Sequence, residues 1–110
     1  MPRPGILAAL SLAVAFAALA APAEAATIEV TIADMKFSPA AIAAKPGDTV
    51  TWTNKDFVAH TATARDKSFD VMVPAGKTAS LTVDDAGTFD YFCKFHPMMS
   101  GWMCLPVQCP

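Results

Sequence analysis

The sequence predicts an all-β domain, a sandwich or barrel built from six or seven short strands. Two patterns support this prediction. Several segments alternate polar and apolar residues, which is the period of a strand with one buried face. Turn signals separate these segments about every ten residues. After the first 25 residues, no segment keeps the 3.6-residue period of an amphipathic helix.

The predicted strands follow one another with short turns between them. In chain order they are residues 27–32, 35–39 as a short extended piece, 40–45, 48–53, 60–64, 78–83 and 88–93. The Ala-rich segment 40–45 suits helix or strand, and the turn Pro46-Gly47-Asp48 that closes it favours a strand. In segment 48–53 the alternation places Val50 and Trp52 on the inner face.

The C-terminal end is predicted to be irregular from about residue 102 to residue 110. Pro106 has no N–H to donate to a strand ladder, so a last strand there is expected to be short, and closure of the sheet is in doubt. Cys104 and Cys109 admit three interpretations, namely a small disulfide loop, two free thiols, or an anomalous end of the reading frame.

The first 25 residues have the composition of a signal peptide. Arg3 is followed by an apolar run over residues 6–21, and Ala23-Glu24-Ala25 is a small-x-small cleavage pattern. The run is shorter than the roughly 20 residues that span a bilayer. An uncleaved anchor and cleavage after Ala23 are the alternatives. We therefore expect a mature domain over residues 26–110, exported to the periplasm and not embedded in the membrane.

Length and charge exclude several classes of protein. A mature domain of about 85 residues is too short for a Rossmann domain or a TIM barrel. The formal net charge is −2 and no basic patch is visible, so we expect no nucleic-acid partner. Three cysteines are an odd number, so at least one thiol lacks a partner within the chain.

One cluster of residues suggests metal chemistry. Cys93, His96 and the pair Met98-Met99 follow a predicted strand, and His60 is the only other histidine. A thiolate, two imidazoles and a weak thioether are the donor set of an electron-transfer copper site. Three alternatives fit less well: a structural or disulfide-bonded Cys93, a structural zinc site, which prefers four Cys or His ligands, and haem attachment, which needs Cys-x-x-Cys-His.

The chain resembles the cupredoxins, and within them the amicyanin-type blue copper proteins. The resemblance runs from about residue 27 to residue 101 and rests on residues 45–54, on His60 and on residues 85–99. The short Cys-x2-His-x2-Met spacing is typical of the amicyanin-like group. The resemblance implies a Greek-key β-sandwich or barrel.

The resemblance also implies a role for individual residues. The one type 1 copper ion would have His60, Cys93 and His96 as equatorial ligands. Met99 would be the axial ligand, with Met98 as its rival. Around them, three residues are expected to act on the ligands, and these are Asn54, Thr61 and Pro97. Asn54 is expected to bond to the Cys93–His96 loop and the Thr61 N–H to the Cys93 sulfur, while Pro97 offers no N–H.

The function implied is that of a mobile one-electron carrier and not of an enzyme. Its expected partners are an electron-donor dehydrogenase, a c-type cytochrome acceptor, or both. They would dock on Phe95 and Met98 around His96, and the carrier would be a monomer. The alternative function is a Cu(I) carrier or chaperone that uses Met98, Met99, Met103 and the additional cysteines.

Overall fold

The computed structural model describes residues 24–106, and the proposed leader at residues 1–25 lies almost wholly outside them. Nine strands occur within the described residues. They are β1 (Thr27–Ala33), β2 (Lys36–Ser38), β3 (Ala41–Ala43), β4 (Thr49–Asn54), β5 (His60–Ala64), β6 (Asp70–Val73), β7 (Thr78–Thr82), β8 (Gly87–Phe92) and β9 (Ser100–Leu105). Within the same residues there is no helix with the length and apolar character that a membrane crossing needs.

The strands form two sheets that pack on each other, which confirms the all-β prediction. One sheet has four strands in the order β2-β1-β4-β7, and the other has five in the order β3-β9-β8-β5-β6. β1 pairs with β4 in parallel and β3 with β9 in parallel, whereas the remaining pairs are antiparallel. Strands that are distant in sequence are therefore neighbours in both sheets.

The core lies between the sheets and centres on Trp52. Buried and half-buried residues alternate along β4, and both Val50 and Trp52 are fully buried, as the alternation predicts. The Trp52 and Tyr91 rings meet edge to face at 5.7 Å, and Trp52 Nε1 donates to the Tyr91 hydroxyl at 3.4 Å. This contact joins β4 of one sheet to β8 of the other.

Strand β6 was not predicted. It pairs antiparallel with β5, from His60 opposite Val73 to Thr63 opposite Asp70. Its four residues are too few to show a clear period. Its position depends on pairing with β5 in the folded sheet, and the sequence of four residues does not predict that pairing.

The expectation of an irregular tail from about residue 102 is wrong as far as Leu105. β9 is a regular strand of six residues that lies between β3 and β8, so it closes the second sheet. Pro106 follows the last paired residue, and its missing N–H therefore removes no ladder bond. Cys104 is disulfide-bonded, so the free-thiol interpretation is wrong for this residue. Residues 107–110, including Cys109, lie outside the described residues.

Candidate metal centre

Three donor side chains meet at one end of the five-stranded sheet. His60 is the first residue of β5, Cys93 follows the last residue of β8, and His96 lies in the loop that leads to β9. Their donor atoms all lie within 4.8 Å of one another. The hairpin of β8 and β9 and the start of β5 thus bring together residues that are 33 positions apart in the chain.

Two tight turns shape the loop between Cys93 and Met99. The His96 N–H donates to the Cys93 carbonyl at 3.3 Å, and the Met99 N–H donates to the His96 carbonyl at 2.9 Å. The Cys93 N–H in turn donates to the Met99 carbonyl at 3.1 Å and closes the loop. These bonds join Cys93, His96 and Met99, which are three residues apart. The Cys-x2-His-x2-Met spacing therefore keeps all three at the same end of the sheet.

The donor atoms fit a type 1 copper ion. The Cys93 Sγ lies 3.7 Å from His60 Nδ1 and 3.6 Å from His96 Nδ1, so both imidazoles present the same ring nitrogen to the sulfur. Cys93 is a free, buried thiol, which excludes the disulfide alternative for this residue. A thiolate, two imidazole nitrogens and a neighbouring thioether form the soft set that suits copper.

The two candidate axial methionines differ in burial. Met99 is only 4% exposed, whereas Met98 is 96% exposed. A thioether buried at the end of the loop is available to an internal site, and one in solvent is not. The burial therefore favours Met99 over Met98 as the thioether that would bind the ion.

The Thr61 N–H lies 3.3 Å from the Cys93 Sγ, in position to donate to it. Thr61 follows His60 directly, so the peptide group between these two residues also contacts the sulfur. Pro97 follows His96 and has no N–H to offer from the other side. Among these neighbours, Thr61 therefore supplies the backbone donor to the sulfur.

Asn54 does not bond to the Cys93–His96 loop, contrary to expectation. Its Nδ2 donates to the carbonyls of Val58, Val73 and Pro74 at 2.9, 3.1 and 3.3 Å, and its Oδ1 accepts the Asp56 N–H at 2.9 Å. Asn54 thus holds the loop before His60 against the end of β6. The contact to the ligand loop is made by Thr61, whose Oγ1 accepts the Lys94 N–H at 2.9 Å.

Asp56 is a site residue that the sequence reasoning missed. Its Oδ2 lies 2.9 Å from His60 Nε2, so it fixes the orientation of a ring whose Nδ1 faces the sulfur. It also accepts the N–H groups of Asp34 and Met35. The Met35 bond is the main reason why the pKa of Asp56 is lowered, with a smaller contribution from His60. An Asp four residues before a candidate His ligand, in a predicted turn, was the available signal.

Apolar side chains surround the outer edge of the site. Phe95 is 51% exposed and Phe57, in the loop before His60, is 99% exposed. Beside them an open cavity of about 520 Å³ is lined by six residues, which are Met35, Lys36, His96, Pro97, Met98 and Met99. His96 and Met99 are thus the proposed ligands that border this apolar cavity, and Met35 is a lining residue that the sequence reasoning did not include.

Comparisons with known proteins find relatives over most of the chain. The model of the cupredoxin-like domain matches residues 6–104. Amicyanin-alpha of Methylorubrum extorquens is 36% identical over 85 residues, covering 72% of this chain and 71% of that protein. Amicyanin of Paracoccus denitrificans is 36% identical over 80 residues, covering 67% of this chain and 61% of that protein.

Solved amicyanin structures share the fold. The Cu(I) form of an amicyanin variant superposes with a TM-score of 0.66 at 36% identity, covering 76% of this chain and 85% of the other. The reduced state of a proline-to-phenylalanine variant gives a TM-score of 0.62 at 35% identity, over 72% and 81% of the two chains.

The chain therefore belongs to the cupredoxin family. Within it, the chain is an amicyanin homologue, and its cluster of His60, Cys93 and His96 suits a type 1 copper ion. This relationship confirms the prediction that it is not an enzyme, since amicyanin-type proteins are electron carriers.

Proposed function

We propose that this protein is a mobile one-electron carrier of the periplasm, which binds one copper ion through His60, Cys93, His96 and Met99. The observation that supports the proposal best is the buried Cys93 thiol with two imidazole Nδ1 atoms at 3.6 and 3.7 Å. A copper ion held by these residues would supply one-electron chemistry, because it alternates between Cu(II) and Cu(I).

The surrounding residues keep the donors in place and exclude water. His60 and Cys93 are 0% exposed and Met99 is 4% exposed, so three of the four donors are out of solvent. Asp56 holds the His60 ring, and the two tight turns hold His96 and Met99. A site that changes little between two oxidation states needs such a fixed set of ligands.

The exposed apolar surface supports a docking role for the residues around His96. Phe95, Pro97 and Met98 surround the partly exposed imidazole, and exposed apolar patches often mark partner sites. Electron-transfer encounters bury little surface and are transient. We propose that an electron-donor dehydrogenase, a c-type cytochrome acceptor, or both dock here on a monomeric carrier.

The alternative of a Cu(I) chaperone has less support. Met103 is 0% exposed in the core, and Cys104 is disulfide-bonded, so neither offers an accessible sulfur. Met98 is the one exposed thioether among the residues that this alternative needs. A site with buried donors suits retention of the ion better than transfer to another protein.

The absorption spectrum of the copper-loaded protein tests the proposed function. An electron carrier of this type is expected to show intense absorption at about 600 nm from Cu(II)–thiolate charge transfer and to lose it reversibly on reduction. A protein that binds only Cu(I) stays colourless under air. A colourless copper-loaded protein would therefore contradict the carrier proposal and support the chaperone alternative.

Docking on the apolar surface is tested by Met98→Lys. A charge placed at this 96% exposed position is expected to slow electron exchange with a redox partner by about tenfold, because apolar contact is lost at the interface. The matched control is Ala86→Lys, an exposed position in the turn before β8, at the end of that strand opposite Cys93. Equal stopped-flow rates for the two variants would contradict docking at Met98.

Export to the periplasm is proposed from the leader at residues 1–25. Cell fractionation followed by mass spectrometry tests it, with a mature N-terminus at residue 26 as the expected result. A protein that keeps residues 1–25 in the membrane fraction would instead support the uncleaved anchor.

A further inference from the structure

The two ligand-bearing strand ends are joined beyond the end of their backbone ladder. The pairing of β5 with β8 includes Thr63 opposite Phe92 and Ala64 opposite Tyr91. Nearer the metal centre, the Lys94 N–H donates instead to the Thr61 hydroxyl, at 2.9 Å. A side chain therefore continues the connection between the segment of His60 and the segment of Cys93.

This hydroxyl belongs to a closed ring of hydrogen bonds. Thr61 Oγ1 lies 2.9 Å from Thr63 Oγ1, and Thr63 Oγ1 donates to Asp70 Oδ1 at 2.8 Å. The other carboxylate oxygen, Oδ2, accepts from Lys94 Nζ at 2.7 Å. Since the Lys94 N–H starts the series and its Nζ completes it, the ring joins β5, β6 and the metal-binding loop.

The hydrogens in this ring have only one arrangement. A hydroxyl has a single hydrogen, and that of Thr63 is used for Asp70. The bond between the two threonines must therefore be donated by Thr61. The Thr61 oxygen then turns its lone pairs to the Lys94 N–H, which is the geometry observed. Hydrogen bonds in such a series polarise one another in the same direction.

The ring runs from the interior to the surface. Thr61 is 1% exposed and Thr63 8% exposed, whereas the side chains of Asp70 and Lys94 are about half exposed. The Lys94 bond, followed by the Thr63 bond, lowers the pKa of Asp70, so the carboxylate stays charged and accepts from both. Loss of the Thr63 hydroxyl or of the Asp70 carboxylate would leave a buried threonine hydroxyl without its acceptor.

We propose that Thr63, Asp70 and Lys94 are positioning residues of the copper centre, which act through Thr61. Their ring holds the Thr61 N–H against the Cys93 sulfur and sets the separation of the segments that carry His60 and Cys93. The inference rests on the copper ligands proposed above. A hydrogen bond to the thiolate withdraws charge from it and favours Cu(I), so a longer bond lowers the reduction potential.

The test compares Thr63→Val with Thr63→Ser in the copper-loaded full chain. Valine has the shape of threonine without the hydroxyl, and serine restores the hydroxyl. In Thr63→Val we expect the Lys94 amide to exchange its hydrogen about tenfold faster in the Cu(I) state. The reason is that its hydrogen bond to the Thr61 hydroxyl is weakened by about 1.4 kcal/mol. We also expect a lower reduction potential. Thr63→Ser should match the unmodified protein in both measurements.

A second variant keeps the inference testable if Thr63→Val does not fold. Asp70→Leu removes the carboxylate at a half-exposed position and should produce both changes. The control is Thr51→Val, which breaks the 2.9 Å hydroxyl contact between Thr51 and Ser80 on the other sheet. It should leave the Lys94 amide and the potential unchanged.

The possible results separate the ring from the proposed function. If the ring variants show the blue absorption but match Thr51→Val in amide exchange and potential, the positioning role is wrong. If the unmodified protein shows no blue absorption when loaded with copper, the proposed function is wrong instead. In that case the amide exchange rates still show whether the ring holds the loop.

Discussion

Cys93 is the residue on which the proposed centre depends most. Its Sγ lies between two imidazole nitrogens and accepts the Thr61 N–H, and the side chain is 0% exposed. We expect Cys93→Ser to abolish the absorption at about 600 nm, because an oxygen ligand has no thiolate charge transfer. The similar size of serine should leave the sheets folded, as circular dichroism would show. A full absorption band in this variant would contradict the assignment of Cys93 as a ligand.

Gly101, the second residue of β9, is required for a different reason. A Cβ at this position would lie 2.7 Å from Tyr91 Cζ and 3.0 Å from the Ala40 carbonyl oxygen. Tyr91 is fully buried in contact with Trp52 and cannot move away freely. We expect Gly101→Ala to lower the free energy of unfolding by about 1–3 kcal/mol.

Urea denaturation measures this loss, and Ser100→Ala is the control. Ser100 is exposed in the same strand, so its substitution should change stability by less than about 0.5 kcal/mol. Equal stability of the two variants would show that the Tyr91 side chain adjusts to an added methyl group.

At the scale of the strands, the metal centre depends on β5, β8 and β9 together. β8 and β9 pair over six residues, from Gly87 opposite Leu105 to Phe92 opposite Ser100. This long hairpin holds both ends of the loop that contains Cys93, His96 and Met99. β5 contributes His60 from the neighbouring position in the same sheet. A regular β9 is therefore a condition for the site.

Asp48 lies just before β4, at the other end of this strand from Asn54, and connects three segments of the chain. Its carboxylate accepts the Ala26 and Lys45 N–H groups, both at 2.8 Å, and its carbonyl accepts the Val83 N–H at 2.9 Å. The Ala26 bond, then the Lys45 bond, lowers the pKa of Asp48. A carboxyl whose pKa is lower in the folded state contributes stability above its unfolded pKa of about 3.9. That stability is lost as the pH falls through the folded pKa.

The prediction is a flatter pH dependence in Asp48→Asn. The variant should be less stable than the unmodified protein at neutral pH, and the difference should shrink as the pH falls below about 4. Unfolding by urea at several pH values measures it. Asp84→Asn, at an exposed position, is the control and should keep the original profile. Parallel profiles for Asp48→Asn and the unmodified protein would contradict the role of the Asp48 carboxylate.

For the whole molecule, the size of the domain makes metal binding important for stability. The nine strands of the described residues lie between Thr27 and Leu105, and a domain of this size buries a limited core and is marginally stable. A ligand that binds only the folded state adds about 4 kcal/mol when its concentration is a thousand times its dissociation constant. The donor atoms are assembled only by the folded sheets, so copper should bind the native state selectively.

We therefore expect copper loading to raise the melting temperature, by roughly 4–8 °C for each kcal/mol gained. Calorimetry of the apoprotein and the copper-loaded protein measures the difference. The Cys93→Ser variant is the control, and its melting temperature should respond much less to copper. Identical melting temperatures for the two forms of the unmodified protein would contradict selective binding to the native state.

The sequence by itself determined the fold class and much of the candidate site. Polar and apolar residues alternate along 27–32 and 48–53. This two-residue period indicates a strand, because successive side chains of a strand point to opposite faces. The Cys93, His96 and Met99 spacing is equally local, since a single loop contains all three residues. For these features, neighbours in the chain are also neighbours in space.

The tertiary structure alone decided the features that join distant segments. Two of them concern strands, namely the pairing of β6 with β5 and the position of β9 between β3 and β8. The other two concern side chains, namely the contact of Asp56 with His60 and the hydrogen-bond ring through Thr63 and Asp70. Asn54 shows the same limit, because its amide bonds to carbonyls up to 20 residues away rather than to the expected loop. The partner of a polar side chain depends on which strands pack beside it. That outcome is set by the burial of the whole core, and no local pattern contains it.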